Sequence, residues 1–397
     1  MMINKFAQAL ALTAFTFGTV TSSVRGQTLT DADLDKVKAR LAEGAVHSWE
    51  LGTRSEALVE LDSPAYSVFN GQVPPPQHAL SSLNEILDIA RSIVANRATS
   101  NNNTVGPQPL IADGAAADPA SNLFEVIVAN WTGQKDQDYA GAAKDQIDFL
   151  FQNVSHTSDG AISHRADDLQ LWSDFVYMVP PCLAYYGVIT RNQSMVAEAD
   201  TAAGNMWQHV LLGFWQDHGH WTTGNGWAAA GMLRVAATMK NSPYNWALLK
   251  EQSDLLAWTS EIHTAIYPYQ DKNTSLFWSY ADNNATFIEA SGATLLAATV
   301  YRLVNLGGPT THIPNAEATR KAISAKNATT GAFIHLDADG WLTPVVNPDD
   351  FSLEGSASPE GQAFVLDVYS AWKDWVKAGS KGAPRKAKKS RLEREEM

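Results

Sequence analysis

Beyond residue 30, apolar residues recur at three- and four-residue spacing almost without interruption, and strand-like alternation is scarce. A chain patterned this way must bury one stripe of each of many helices against other helices. The spacing predicts helices over 31–43, 46–61, 79–96, 122–131, 139–154, 169–189, 195–212, 226–239, 246–267, 286–305, 316–325 and 359–378. Gly-, Pro- and Asn-rich breaks such as GQVPPPQ, NNNTVGPQP, NLGGPTTHIPN and VNPDD lie between them. These segments fit six helical hairpins closed into a toroid. A superhelical solenoid is the alternative, but the segments are uneven and no fixed-period repeat requires one. No composition shift marks a linker, so the expectation is one closed all-α domain over 27–378.

The ends read differently. Met1 to Lys5 form a short cationic start, residues 6–20 are mostly apolar, and Val24-Arg25-Gly26 precede a plausible cleavage point. Residues 1–26 are therefore expected to be a secretory signal, with a secreted extracellular product. Seven Asn-x-Ser/Thr sequons, at Asn102, Asn130, Asn153, Asn192, Asn273, Asn284 and Asn327, agree with export. Residues 379–397 carry Lys381, Arg385, Lys386, Lys388, Lys389 and Arg391 with almost no apolar content, so a basic disordered tail is expected. The single cysteine, Cys182, excludes an intrachain disulfide, and its apolar neighbours point to a buried thiol. A formal net charge of -13 argues against nucleic acid and anionic membranes as partners. No later apolar run reaches the ~18 residues of a membrane span. A monomer is expected.

The stretch LWSDFVYM sets Asp174 among Trp172, Phe175, Tyr177 and Met178. Apolar neighbours disfavour a charged carboxylate and hold its proton toward neutral pH, which suits a general acid. A lone acid on an amphipathic helix is more often simply surface-facing. Context decides between the two. SHRADDLQLWSDFVYMVPPCLAYYG (163–187), HWTTGNGWAAAGMLRV (220–235), EASGATLLAATVYRL (289–303) and SPEGQAFVLDVYSAW (358–372) occur in this order. In content and approximate spacing they resemble fungal members of glycoside hydrolase family 105, the unsaturated rhamnogalacturonyl hydrolases, to which family 88 is related. The resemblance runs from about residue 45 to about residue 376.

The resemblance implies an (α/α)6 toroid with its active site at one mouth, acting on pectin-derived oligosaccharides that end in a 4,5-unsaturated uronic acid. One acid protonates C4, water adds at C5, and the hemiketal opens and expels the remaining saccharide. No metal or organic cofactor is implied. Asp174 matches the general acid/base. A second aspartate is implied earlier in the chain, at Asp113 or Asp118. Asp118 is preferred because it immediately precedes a helix, although an Asp-Pro turn or cap accounts for it almost as well. Trp172 and Trp221 match sugar-lining aromatics, and Trp227 closes the second motif unless it packs the core. His209 fits a substrate-contacting histidine better than His218 or His220, and His164 corresponds to one at the start of the catalytic segment. His209, His218 and His220 do not share a helix face, so a metal site is not expected. Bacterial relatives carry Arg where this chain has Thr223. Threonine cannot clamp a carboxylate through two bonds, so Arg165 or Arg54 is expected to take over that role.

Two other readings remain at this level. One is a different (α/α)6 carbohydrate enzyme, either a mannan hydrolase, for which Asp167-Asp168 is the pointer, or a polysaccharide lyase. The other is a catalytically silent saccharide-binding relative, which Thr223 keeps open.

Overall fold

The computed structural model describes residues 28–211 and 219–383. The expected leader, His218 and residues 384–397 of the expected tail lie outside the described residues. Among the described residues, six outer helices alternate along the chain with six inner ones. The outer set is α1 (Asp31–Gly44), α3 (Asn84–Ser100), α5 (Tyr139–Gln152), α8 (Gln193–Leu211), α10 (Leu249–Ile266) and α12 (Ile313–Ile323). The inner set is α2 (Ser48–Asp62), α4 (Leu123–Trp131), α7 (Pro180–Ile189), α9 (Thr222–Asn241), α11 (Ser291–Leu306) and α13 (Pro359–Lys377). Each inner helix packs on the next, and α13 returns to α2, which closes the ring. This is the (α/α)6 toroid, all-α among the described residues apart from two small hairpins.

Burial follows that layering. Helix α1 buries only Leu34, Val37 and Leu41, one stripe, whereas α9 and α11 are buried along nearly their whole length. An inner helix meets both its ring neighbours and the outer layer, so it has little polar face to spare. Small residues allow the close fit. A Cβ on Gly231 of α9 would lie 2.0 Å from the Val176 carbonyl oxygen, so any larger residue would push α9 off the chain before α7.

The interior also holds charge. Arg234 Nη1 lies 3.2 Å from Glu56 Oε2, and its Nη2 lies 2.8 Å from Glu60 Oε1. Glu60 Oε2 in turn meets Arg302 Nη2 at 2.7 Å. This network joins α2, α9 and α11 below the mouth, and Asp367 of α13 lines the same region.

Three local expectations are corrected. The helix expected over 169–189 is split: a single turn, α6 (Phe175–Met178), is separated from α7 at Val179-Pro180. Proline removes a backbone donor and biases the residue before it away from helical geometry. The start of the helix expected at 286 is instead strand β2 (Ile288–Glu289), paired antiparallel with β1 (Phe277–Trp278). Disorder expected from residue 379 is not found over the described residues 379–383, where Trp375 Nε1 donates to the Lys381 carbonyl at 2.9 Å and Gly382 packs on Thr310.

Candidate active site

The inner helices run parallel, so their N-termini meet at one end of the toroid. Contacts between neighbours trace that ring. Asn122 at the start of α4 donates to the Ser48 carbonyl at the start of α2, at 2.9 Å. Thr223 in the first turn of α9 donates to Glu289, just before α11, at 3.2 Å. A Cβ on Gly361 of α13 would lie 3.1 Å from Ser291 Cβ of α11. Each helix N-terminus carries about half a positive charge, so this end favours an anionic ligand.

A pairing of two loops builds the centre of the site. The amides of Ala116 and Ala117 both donate to the His164 carbonyl, at 2.8 and 3.1 Å, and Ala166 N donates to the Gly114 carbonyl. The pairing sets Asp118, which opens a 3-10 turn (Asp118–Asn122), against His164, with Nε2 and Oδ1 3.1 Å apart. His164 is buried and stacks on Trp172, with ring centroids 4.4 Å apart and planes within 9°. Burial alone would lower the imidazole pKa; the Asp118 carboxylate more than offsets this, with Asp174 adding to it, and the ring is held above its ordinary range.

Asp174 stands at the N-cap position of α6 but makes no side-chain cap bond. Its Oδ2 accepts from Ser173 Oγ at 2.9 Å. Burial raises its pKa above the usual carboxylate value; His164 and Ser173 pull it down and Asp118 pushes it up. The expectation was that neighbouring aromatics would do this. Phe175 and Tyr177 instead turn into the core, while Trp172 stacks on His164.

Trp221 lies just ahead of α9. Gly224 allows it to approach the acid: a Cβ there would be 2.6 Å from Ser173 Oγ and 2.9 Å from Trp221 Cε3. Asp118, His164, Trp172, Asp174 and Trp221 are thus brought together. Arg165 follows His164 directly and lays its guanidinium over Gly114. Asp113 accepts from Ser48 Oγ, and burial raises its pKa. It stands at the edge of the cluster, whereas Asp118 pairs with the central histidine.

Other expected residues lie elsewhere. Trp227 is core, packed between Tyr177 and Phe364 at 4.4 and 4.8 Å between ring centroids, with no surface for a sugar. Thr223 is buried against Glu289 and Gly292, so it leaves no open space at the mouth. Burial raises Glu289 to a pKa of about 7, against its bonds from Gly292 and Thr223. His209 sits on α8 and pairs with Asp159 at 2.9 Å, without joining the cluster. His220 pairs with Asp282 at 2.8 Å. Arg54 is held by Glu85, from α2 to α3. Sequence reasoning did not find Ser173 as the partner of the acid. Its adjacency to Asp174 was visible, but its direction was not. A helical period does carry the signal for Thr223 and Trp227. They are four residues apart and so share one helix face, although that spacing does not say which way the face points.

Residues 82–211 match the family model described as Glycosyl Hydrolase Family 88, a segment that contains Asp118, His164 and Asp174. None of the curated proteins compared matches the chain. Among solved structures, a Klebsiella pneumoniae protein described as a possible member of the GH105 family is 14% identical. It has a TM-score of 0.64 and covers 93% of this chain and 100% of its own. A family 105 glycoside hydrolase from C. acetobutylicum is 15% identical with a TM-score of 0.63, covering 86% of this chain and 99% of its own. The unsaturated glucuronyl hydrolase of Bacillus sp. GL1, described as responsible for glycosaminoglycan degradation, is 12% identical. Its TM-score is 0.58, with coverage of 86% and 95%. The matched segment is similar to glycoside hydrolase family 88, and the chain as a whole shares the toroid of solved structures described as family 105 or family 88 proteins.

Proposed function

We propose that the enzyme hydrates a 4,5-unsaturated uronic acid at the non-reducing end of pectin-derived oligosaccharides, of the rhamnogalacturonan type, and releases it. The observation that carries this reading is the Asp118–His164–Asp174 group, which places an acid of raised pKa beside a cation-holding histidine at the converging helix N-termini. Hydrating an enol ether needs a proton delivered to carbon. Asp174 gives its proton to C4, and the oxocarbenium that forms at C5 takes up water. The same carboxylate then recovers a proton from that water, so one group serves as acid and base. Asp118 orients His164 and favours its cationic form, which balances the charge of Asp174 once its proton has left. Trp172 and Trp221 offer aromatic faces to the sugar.

The uronate carboxylate needs a cation. Arg165 is the better candidate, because it lies beside His164 whereas Arg54 is engaged by Glu85. Secretion belongs to the same proposal. The cationic start and apolar run of residues 1–20 support it, and all seven sequon asparagines are exposed, as glycan acceptors must be.

The test adds the enzyme to unsaturated rhamnogalacturonan oligosaccharides and follows the conjugated-alkene absorbance. Loss of absorbance is expected. Arg165→Ala should raise KM, and Arg54→Ala should not. No change in absorbance would refute the hydrolase reading, and a rise on intact polymer would identify a lyase.

A further inference from the structure

The backbone of the acid is fixed by the turn that follows it. The amides of Tyr177 and Met178 both donate to the Asp174 carbonyl, at 2.9 and 3.1 Å, and Val176 N donates to the Ser173 carbonyl at 3.0 Å. These bonds place Asp174 at the opening of α6, but they do not set how its carboxyl group is turned. The carboxyl makes no cap bond to the helix. Among the described residues, one side chain hydrogen-bonds to it: Ser173, whose Oγ lies 2.9 Å from Oδ2.

Two features give that bond a direction and hold it in place. Ser173 is buried, at 4% exposure, so its hydroxyl proton needs an acceptor within the protein. The Asp174 carboxyl is the acceptor in reach, so Ser173 donates and Oδ2 accepts. The hydroxyl is also seated against α9. A Cβ on Gly224 would lie 2.6 Å from Ser173 Oγ, so the bare backbone in the first turn of α9 leaves room for the hydroxyl and for little more. Asp174 itself is half-buried, so the carboxyl meets the buried Ser173 on one side and the mouth on the other.

Resting on the hydrolase reading, we propose that Ser173 is a positioning residue: it holds Oδ2 as an acceptor and so leaves Oδ1 as the oxygen that carries the transferable proton. A proton on Oδ2 would meet the hydroxyl hydrogen of Ser173, whereas a proton on Oδ1 meets the substrate. Oδ1 gives its proton to C4 and recovers one from the water that adds at C5, and Ser173 keeps its own proton throughout. The same bond counters the effect of burial, because a donor stabilises the carboxylate that remains once the proton has left.

The test is the pH profile of kcat for Ser173→Ala on unsaturated rhamnogalacturonan oligosaccharides, read as loss of alkene absorbance, with Tm recorded for the same preparations. Loss of the donor should move the alkaline limb of kcat upward by about one pH unit, which corresponds to ~1.4 kcal/mol between the two protonation states. It should also lower kcat on the acid plateau and leave KM near the wild-type value, because the bond acts on the proton donor and not on the sugar. The charged groups that face the carboxyl are His164, from the segment ahead of it, and Asp118, from the turn before α4; α9 presents the uncharged Gly224. All three are retained in this variant, so a moved limb reports the hydroxyl. Ser173→Thr, which keeps the hydroxyl, should hold the wild-type limb. A limb that stays in place or moves down in Ser173→Ala, or a Thr variant displaced as far as the Ala variant, overturns the proposal and leaves the hydrolase reading standing. A wild-type enzyme with no alkaline limb overturns the role of Asp174 as well, and no turnover at all overturns the hydrolase reading with it.

Discussion

Replacing Asp174 by Asn removes the transferable proton and little else. The side chain caps no helix, so the ~1 kcal/mol that a lost N-cap costs does not arise. Asn Oδ1 can still accept from Ser173 Oγ, the 2.9 Å bond of the native acid. The electrostatic change is also favourable at neutral pH. Burial and Asp118 together outweigh His164 and Ser173 and raise the pKa of Asp174, so the folded protein prefers the neutral form. A group with a raised folded-state pKa contributes stability below its unfolded pKa and loses it as pH rises through the folded value. Above that window, a permanently neutral Asn should match or exceed the wild-type Tm. Catalysis should move the other way. A positioned general acid supplies about 10²–10⁴-fold, or ~2.7–5.5 kcal/mol of barrier, and kcat should fall by at least the lower figure. Because the acid must start protonated, wild-type kcat should decline as pH rises through the raised pKa of Asp174, and residual activity of the Asn variant should lack that limb. The assay follows alkene absorbance for kcat across pH and records Tm for the same preparations. A folded Asn variant within a few-fold of wild-type kcat would refute the assignment of Asp174 as the acid.

Three further outcomes follow from the same geometry. Arg234→Met should destabilise the fold by about 3–5 kcal/mol in denaturant titration, because it strands Glu56 and Glu60 without their partner in the interior. Burial raises Glu56 to a pKa of about 7, with Arg234 opposing the shift, so its contribution is present at acid pH and is lost as pH rises through about 7. Unfolding free energies at pH 5 and pH 8 should show the fall, and Glu56→Gln should flatten it. Trp227→Ala should cost about 3–5 kcal/mol of stability as a core truncation. Trp221→Ala should leave Tm nearly unchanged and raise KM, and the reverse pattern would exchange their roles.

The period of the apolar residues is a local property, and it was enough to mark the helices and the breaks between them, to within a few residues at most ends. The motif around Asp174 is equally local, and the acid could be named from it. Ring closure is different. An apolar stripe shows that a helix must be covered, not by which neighbour, and only the packing of α13 back onto α2 makes a toroid rather than an open superhelix. That the second aspartate pairs with the histidine was hidden for the same reason. Asp118 and His164 are far apart in sequence and meet only because the Gly114–Ala117 loop pairs with the His164 segment. Which tryptophan faces the mouth was also a tertiary decision. Trp221 and Trp227 are six residues apart, which on a helix is a rotation of about 240°, and the sequence does not say which of those directions is solvent. The ring does, by surrounding Trp227 with Tyr177 and Phe364 and leaving Trp221 beside Phe351 at the rim.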